Sequence, residues 1–222
     1  MVEGAALEKR CAATYRGFES LPLRQCYTSR MKKLFEVQQK ITLIGNEYRI
    51  IKGSELAGYL KQKRLALREQ LTLYADEQQS TILATSKARN IMDISPVFDV
   101  QDGNGKPLAV IRKEFKKSLL SSTWNIYDKD ESQKPLFTVG EKNKTIAIAR
   151  RVWELIPVET FIPFPFKFHF SIFSDNKIIG EYTKLTLFRD HYALNIEEKE
   201  ISKLDEQAWM VLAVLLDAMQ SR

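Results

Sequence analysis

Cysteine, histidine and glycine are scarce in this chain of 222 residues, with two, two and nine copies. Both cysteines, Cys11 and Cys26, precede Met31, so no disulfide framework is open to the rest of the chain. His169 and His191 alone are too few soft donors for a zinc site, and each reads as a surface or packed side chain. No Gly-x-Ser-x-Gly elbow is present for either histidine to serve. Neither Gly-x-Gly-x-x-Gly nor Gly-x-x-x-x-Gly-Lys occurs, which removes the common phosphate loops of nucleotide enzymes. The expectation is a protein that is not an enzyme and holds no metal or cofactor.

Long apolar runs are missing too. None reaches the ~20 residues of a membrane-spanning helix, and the N-terminus lacks the apolar centre of a signal peptide. The default is a cytoplasmic protein. The formal charge of +6 comes from 34 basic and 28 acidic residues. Residues 1–30 hold five of the basic and three of the acidic, leaving 29 against 25 in the remainder. That excess suits weak attraction to an anionic surface, and it is also ordinary for a small domain.

The strongest positive signal is Ala208 to Leu216 (AWMVLAVLL), apolar without a break. A helix apolar on every face must be surrounded on every face. Ser202 with Asp205 three residues on reads as a capping box, and Asp205 and Glu206 suit a helix start. At 1.5 Å per residue the apolar part covers roughly 15 to 20 Å, short of a bilayer core.

Before that helix the pattern is of strands and turns. Candidate strands are Leu34 to Gln39, Gly45 to Ile51, Leu56 to Arg64, Leu67 to Tyr74, Thr81 to Lys87 and Ile94 to Gln101. Asp102-Gly103-Asn104-Gly105 is a hairpin turn joining Val97–Val100 to Leu108–Ile111. Trp124 to Tyr127 pairs with Pro135 to Val139 across Asp128–Gln133, and Thr145 to Ala149 continues the meander. Phe164, Phe166, Phe168 and Phe170 alternate with polar or small residues, which points them into a barrel and not into lipid. Ile178 to Phe188 follows the turn Asp175–Lys177. So long a meander is expected to close, since closure removes its exposed edges.

Residues 1–30 show no sustained period of 2 or 3.6, and the strand pattern starts abruptly at Met31. Arg16 to Gln25 (RGFESLPLRQ) resembles the translation of a transfer-RNA T-arm and acceptor stem. The reading is that residues 1–30 are a disordered or spurious extension and that residues 31–222 form one barrel domain.

From about Phe35 to Met219 the chain resembles the tubby C-terminal-like superfamily, most of all the LURP-one-related proteins, with phospholipid scramblases as more distant relatives. The pieces that carry the likeness are FEVQQKITLIGNEYRI, FDVQDGNGKPLAVIRKEF, STWNIYDKDE and the terminal AWMVLAVLLDAM. The resemblance implies a closed antiparallel β-barrel of about twelve strands around a central buried C-terminal helix. It also implies phosphoinositide contacts on a basic strand end, matched here by LATSKAR with Lys87 and Arg89. The acidic calcium segment of scramblases falls on DHYALNI, Asp190 to Ile196, where one acid and no turn glycine give no calcium loop.

The candidate ligand-binding residues are therefore Lys87 and Arg89, with Arg112, Lys113, Lys116 and Lys117 of the stretch RKEFKK. Lysine and arginine donors satisfy several oxygens of an anionic lipid head group at once, and Phe115 among basic residues suits an interfacial contact. Residue by residue, a solvated face accounts for the same pattern. The expected function is a non-enzymatic binding module for anionic phospholipid at a membrane surface. The alternatives are a protein-interaction or structural adaptor without a small ligand, and weak nucleic-acid binding, for which no base-stacking platform is visible.

Overall fold

A computed structural model describes residues 31–42, 45–63, 69–90, 95–114, 123–129, 131, 134–141, 169–186 and 190–219. Among the described residues the meander read from the sequence is realised as twelve strands. They are β1 (Met31–Ile41), β2 (Gly45–Lys52), β3 (Glu55–Lys63), β4 (Gln70–Tyr74), β5 (Ile82–Ala88) and β6 (Val97–Asp102), followed by β7 (Pro107–Lys113), β8 (Thr123–Asp128), β9 (Phe137–Glu141), β10 (His169–Ser174), β11 (Lys177–Lys184) and β12 (His191–Glu197). Two helices follow, α1 (Glu198–Ile201) and α2 (Glu206–Ala218).

Each strand pairs antiparallel with its neighbour in sequence, and β1 pairs with β12 to close the barrel. Alternation decides which side chains face inward. In β2 Asn46, Tyr48 and Ile50 are buried while Arg49 is exposed, and in β6 Phe98 and Val100 are buried on either side of Asp99. At the β6–β7 turn the Asp102 carboxylate accepts the N–H groups of Asn104 and Lys106 at 2.9 and 2.8 Å. Gly105 there has φ +84°, which favours glycine, and a Cβ on Gly103 would lie 2.2 Å from the Ile82 carbonyl oxygen.

All nine residues from Ala208 to Leu216 are buried, in one apolar core with the inward strand residues. Helix α2 touches β1, β3, β4, β5, β6 and β7. Trp209 sets its ring 5.1 Å from Phe137 of β9 and donates its indole N–H to the Ile201 carbonyl at 3.1 Å. Among the described residues no helix is long and apolar enough to cross a membrane.

The sequence reading needs correction before α2. Ser202 is not the cap of the long helix: it is the C-cap of α1, and Asp205 is the N-cap of α2, without a side-chain cap bond. Glu200 and Leu204 are both buried, which pulls the chain into a turn between the helices where one continuous start was expected. Nor is everything before the last helix extended, because α1 intervenes. Strand β11 ends at Lys184, earlier than Phe188, where the Leu185 N–H closes on the His191 carbonyl at 2.7 Å. Residues 1–30, the strand expected at Thr145–Ala149 and the phenylalanines Phe164, Phe166 and Phe168 lie outside the described residues.

Candidate anion-binding site

Strands β5 and β7 flank β6, so Lys87 and Arg89, at and just beyond the end of β5, come beside Arg112 near the end of β7. Burial alternates across these strands. Ser86, Ala88, Phe98 and Ile111 are buried, whereas Lys87 and Arg89 are exposed and Asp99 and Arg112 half-buried on the outer face. Lys87 stands opposite Asp99 in register.

Arg89 is held by two carboxylates. Its Nε and Nη2 donate to Asp99 at 2.9 and 2.7 Å, and its Nη1 donates to Glu131 Oε2 at 2.5 Å. The bond to Asp99, more than the one to Glu131, raises the guanidinium pKa above its already high ordinary value despite partial desolvation. Arg112 donates to the other oxygen of Glu131, Oε1, and lies over the Tyr127 ring with Cζ 5.5 Å from its centroid. One carboxylate thus bridges two guanidinium groups on the outer wall.

Lys113 does not join them. It shares the inward parity of Ile111, stands over the Trp124 ring at 5.4 Å and donates to the Met219 carbonyl at 2.9 Å. The last turn of α2 carries no basic residue, so a cation from β7 faces the negative end of that helix. Lys116, Lys117 and the intervening Phe115 lie outside the described residues. Of the four described candidates, then, the sheet brings Lys87, Arg89 and Arg112 to one face and sends Lys113 to the other.

Sequence reasoning missed Asp99 and Glu131, the acids that organise this face. Asp99 was legible once β5 and β6 were taken as neighbours, because an outward acid opposite an outward lysine follows from register. Glu131 was not, since it sits in the β8–β9 connection, where no period fixes a side chain.

A second polar group lies where α2 ends. Tyr192 donates its hydroxyl to Asp217, and its oxygen is 3.2 Å from Asp190, which also receives the Lys184 ammonium at 2.6 Å. Tyr48 and Tyr182 are fully buried beside it. Desolvation pushes the Asp217 carboxyl up to about 6, opposed by the bond from Tyr192 and reinforced by the charge of Asp190. His191 reaches Glu36 at 3.1 Å. Among the described residues no group of three or more His, Cys, Asp or Glu side chains is placed to hold a metal ion. A hollow of about 320 Å³ beside the start of α2 is walled by Leu34, Ile201, Leu204 and Trp209; of its charged groups Lys203, Asp205 and Glu206, the first is paired with Glu200 and the last with Lys52.

A family model described as LURP-one-related matches residues 56–217, from β3 to the last turn of α2. The chain belongs to the LURP-one-related family, within the tubby-like superfamily. Comparison with curated proteins gave no match.

Proposed function

We propose that this protein is a non-enzymatic binding module that attaches through the outer face of β5–β7 to anionic phospholipid head groups at a membrane surface, from the cytoplasmic side. The observation that carries the reading is the convergence of Arg89 and Arg112 on one carboxylate, with Lys87 beside them. Guanidinium groups already aimed at a shared oxyanion position suit a phosphate, and membership in a tubby-like family supports a lipid-related role. In this account helix α2 fills the barrel interior as a central core and has no part in membrane attachment. The fold would then be a rigid support for a surface site.

A second reading is a protein-interaction adaptor, favoured by the fact that Arg89 and Arg112 are satisfied internally by Asp99 and Glu131. Vesicle flotation over a salt series separates the two. Attachment to anionic vesicles that weakens as salt rises supports the lipid reading, because exposed charges are screened within about 10 Å at 0.1 M salt. Absence of attachment by the wild-type protein at every salt concentration rejects constitutive attachment and favours the adaptor.

A further inference from the structure

We infer that Glu131 is an internal stand-in for a phosphate ligand, closing a two-arginine site that a phosphate monoester opens by displacing it. The inference rests on the lipid-binding reading and adds its regulation. Arg89 Nη1 and Arg112 Nη2 contact different oxygens of the one carboxylate, Oε2 and Oε1, which is how two guanidinium groups share a phosphate. Both arginines are positioned by groups other than Glu131. Asp99 grips Arg89 through Nε and Nη2, leaving Nη1 as the outward donor, and Tyr127 supports Arg112 from below. Arg112 is on β7, and Arg89 follows β5 directly with its backbone N–H on the Val97 carbonyl at 2.9 Å, whereas Glu131 arrives from the connection between β8 and β9.

Charge selects the ligand class. With Glu131 in place, Lys87, Arg89 and Arg112 face Asp99 and Glu131, an excess of one positive charge. With Glu131 withdrawn, Lys87, Arg89 and Arg112 face Asp99 alone, an excess of two positive charges. A phosphate monoester, at about −1.5 to −2 near pH 7, matches that excess better than a single carboxylate does. The side chains of Arg89, Arg112 and Glu131 are 38%, 35% and 26% exposed, so a ligand reaches the site without opening the barrel.

The test compares wild type with Glu131→Gln on phosphatidylcholine vesicles with and without phosphatidic acid, and in solution with inorganic phosphate as competitor. Glu131→Gln should bind phosphatidic-acid vesicles about fivefold more tightly than wild type, the effect of one unit charge near a membrane surface. Adding Arg112→Gln should remove the gain. Release of Glu131→Gln by inorganic phosphate would assign the site to the phosphate group itself, and retention would assign it to the lipid-borne group; both uphold the site. Glu131→Ala and equal melting temperatures exclude a folding effect. Wild type that binds with Glu131→Gln no tighter overturns the inference and leaves the lipid reading standing. Binding by Glu131→Gln alone upholds the inference and overturns constitutive attachment, and binding by neither overturns both.

Discussion

The Tyr192 hydroxyl on β12 is bonded to the Asp217 carboxylate in the last turn of α2, and Asp190 stands 3.2 Å from the same oxygen. Burial holds the Asp217 carboxyl up at about 6, well above its ordinary 3.8, against the bonds it receives from Tyr192 and Tyr48. The folded protein therefore binds the Asp217 carboxyl proton more tightly than the unfolded chain does.

The sign of the pH effect follows. A raised carboxyl pKa gives stability that is present below about pH 4 and lost as pH rises through about 6, with a size on the order of 1 to 3 kcal/mol. Asp217→Asn keeps an acceptor for Tyr192 and removes the titration. The variant should melt higher than wild type near pH 7.5, with the difference shrinking towards pH 4; the opposite trend in chemical denaturation would show that the Asp217 pKa is not raised by folding.

The core places a harder demand on α2. Leu212 is fully buried, so Leu212→Asp introduces a charge without a partner, a cost of several kcal/mol against a total stability of ~5 to 15 kcal/mol. The expected outcome is loss of the cooperative melting transition. A soluble, cooperatively melting variant would mean that Leu212 does not sit in the apolar core.

The β6–β7 turn offers a finer test. Gly103→Ala puts a methyl group 2.2 Å from the Ile82 carbonyl oxygen and should cost roughly 1 to 3 kcal/mol through backbone displacement. Gly105→Ala meets no neighbour within 4 Å but must hold φ +84°, a smaller cost of about 1 kcal/mol. Thermal melts should rank wild type above Gly105→Ala above Gly103→Ala.

These elements differ in how far the sequence announced them. The run from Ala208 to Leu216 and the turn Asp102–Gly105 are local signals, and local chemistry suffices to place them: no partial burial suits the first, and few residues tolerate the backbone of the second. Ser202 misled because a capping pattern three residues long was outweighed by the burial of Glu200 and Leu204 on either side of it. Lys113 and Arg112 are adjacent and equally basic, yet strand parity sends one to the helix end and the other to the outer wall. Glu131 depends on its contacts with Arg89 and Arg112, which no periodicity in the chain encodes. Of the basic candidates, Lys87, Arg89 and Arg112 share one face and Lys113 does not, and the acids beside them were settled by tertiary contacts.

The central claim is that the outer face of β5–β7 attaches to anionic lipid, and Lys87→Ala with Arg89→Ala tests it most directly. Each basic residue near a membrane surface is worth about 1 kcal/mol, so the double variant should bind anionic vesicles at physiological salt roughly tenfold or more weakly than wild type. Exposed ion pairs contribute only about 0 to 1 kcal/mol to stability, so its melting temperature should stay close to wild type. Lys199→Ala in α1 with Lys203→Ala just after it should leave vesicle binding unchanged. Equal vesicle binding by wild type and the Lys87/Arg89 double variant would contradict the account.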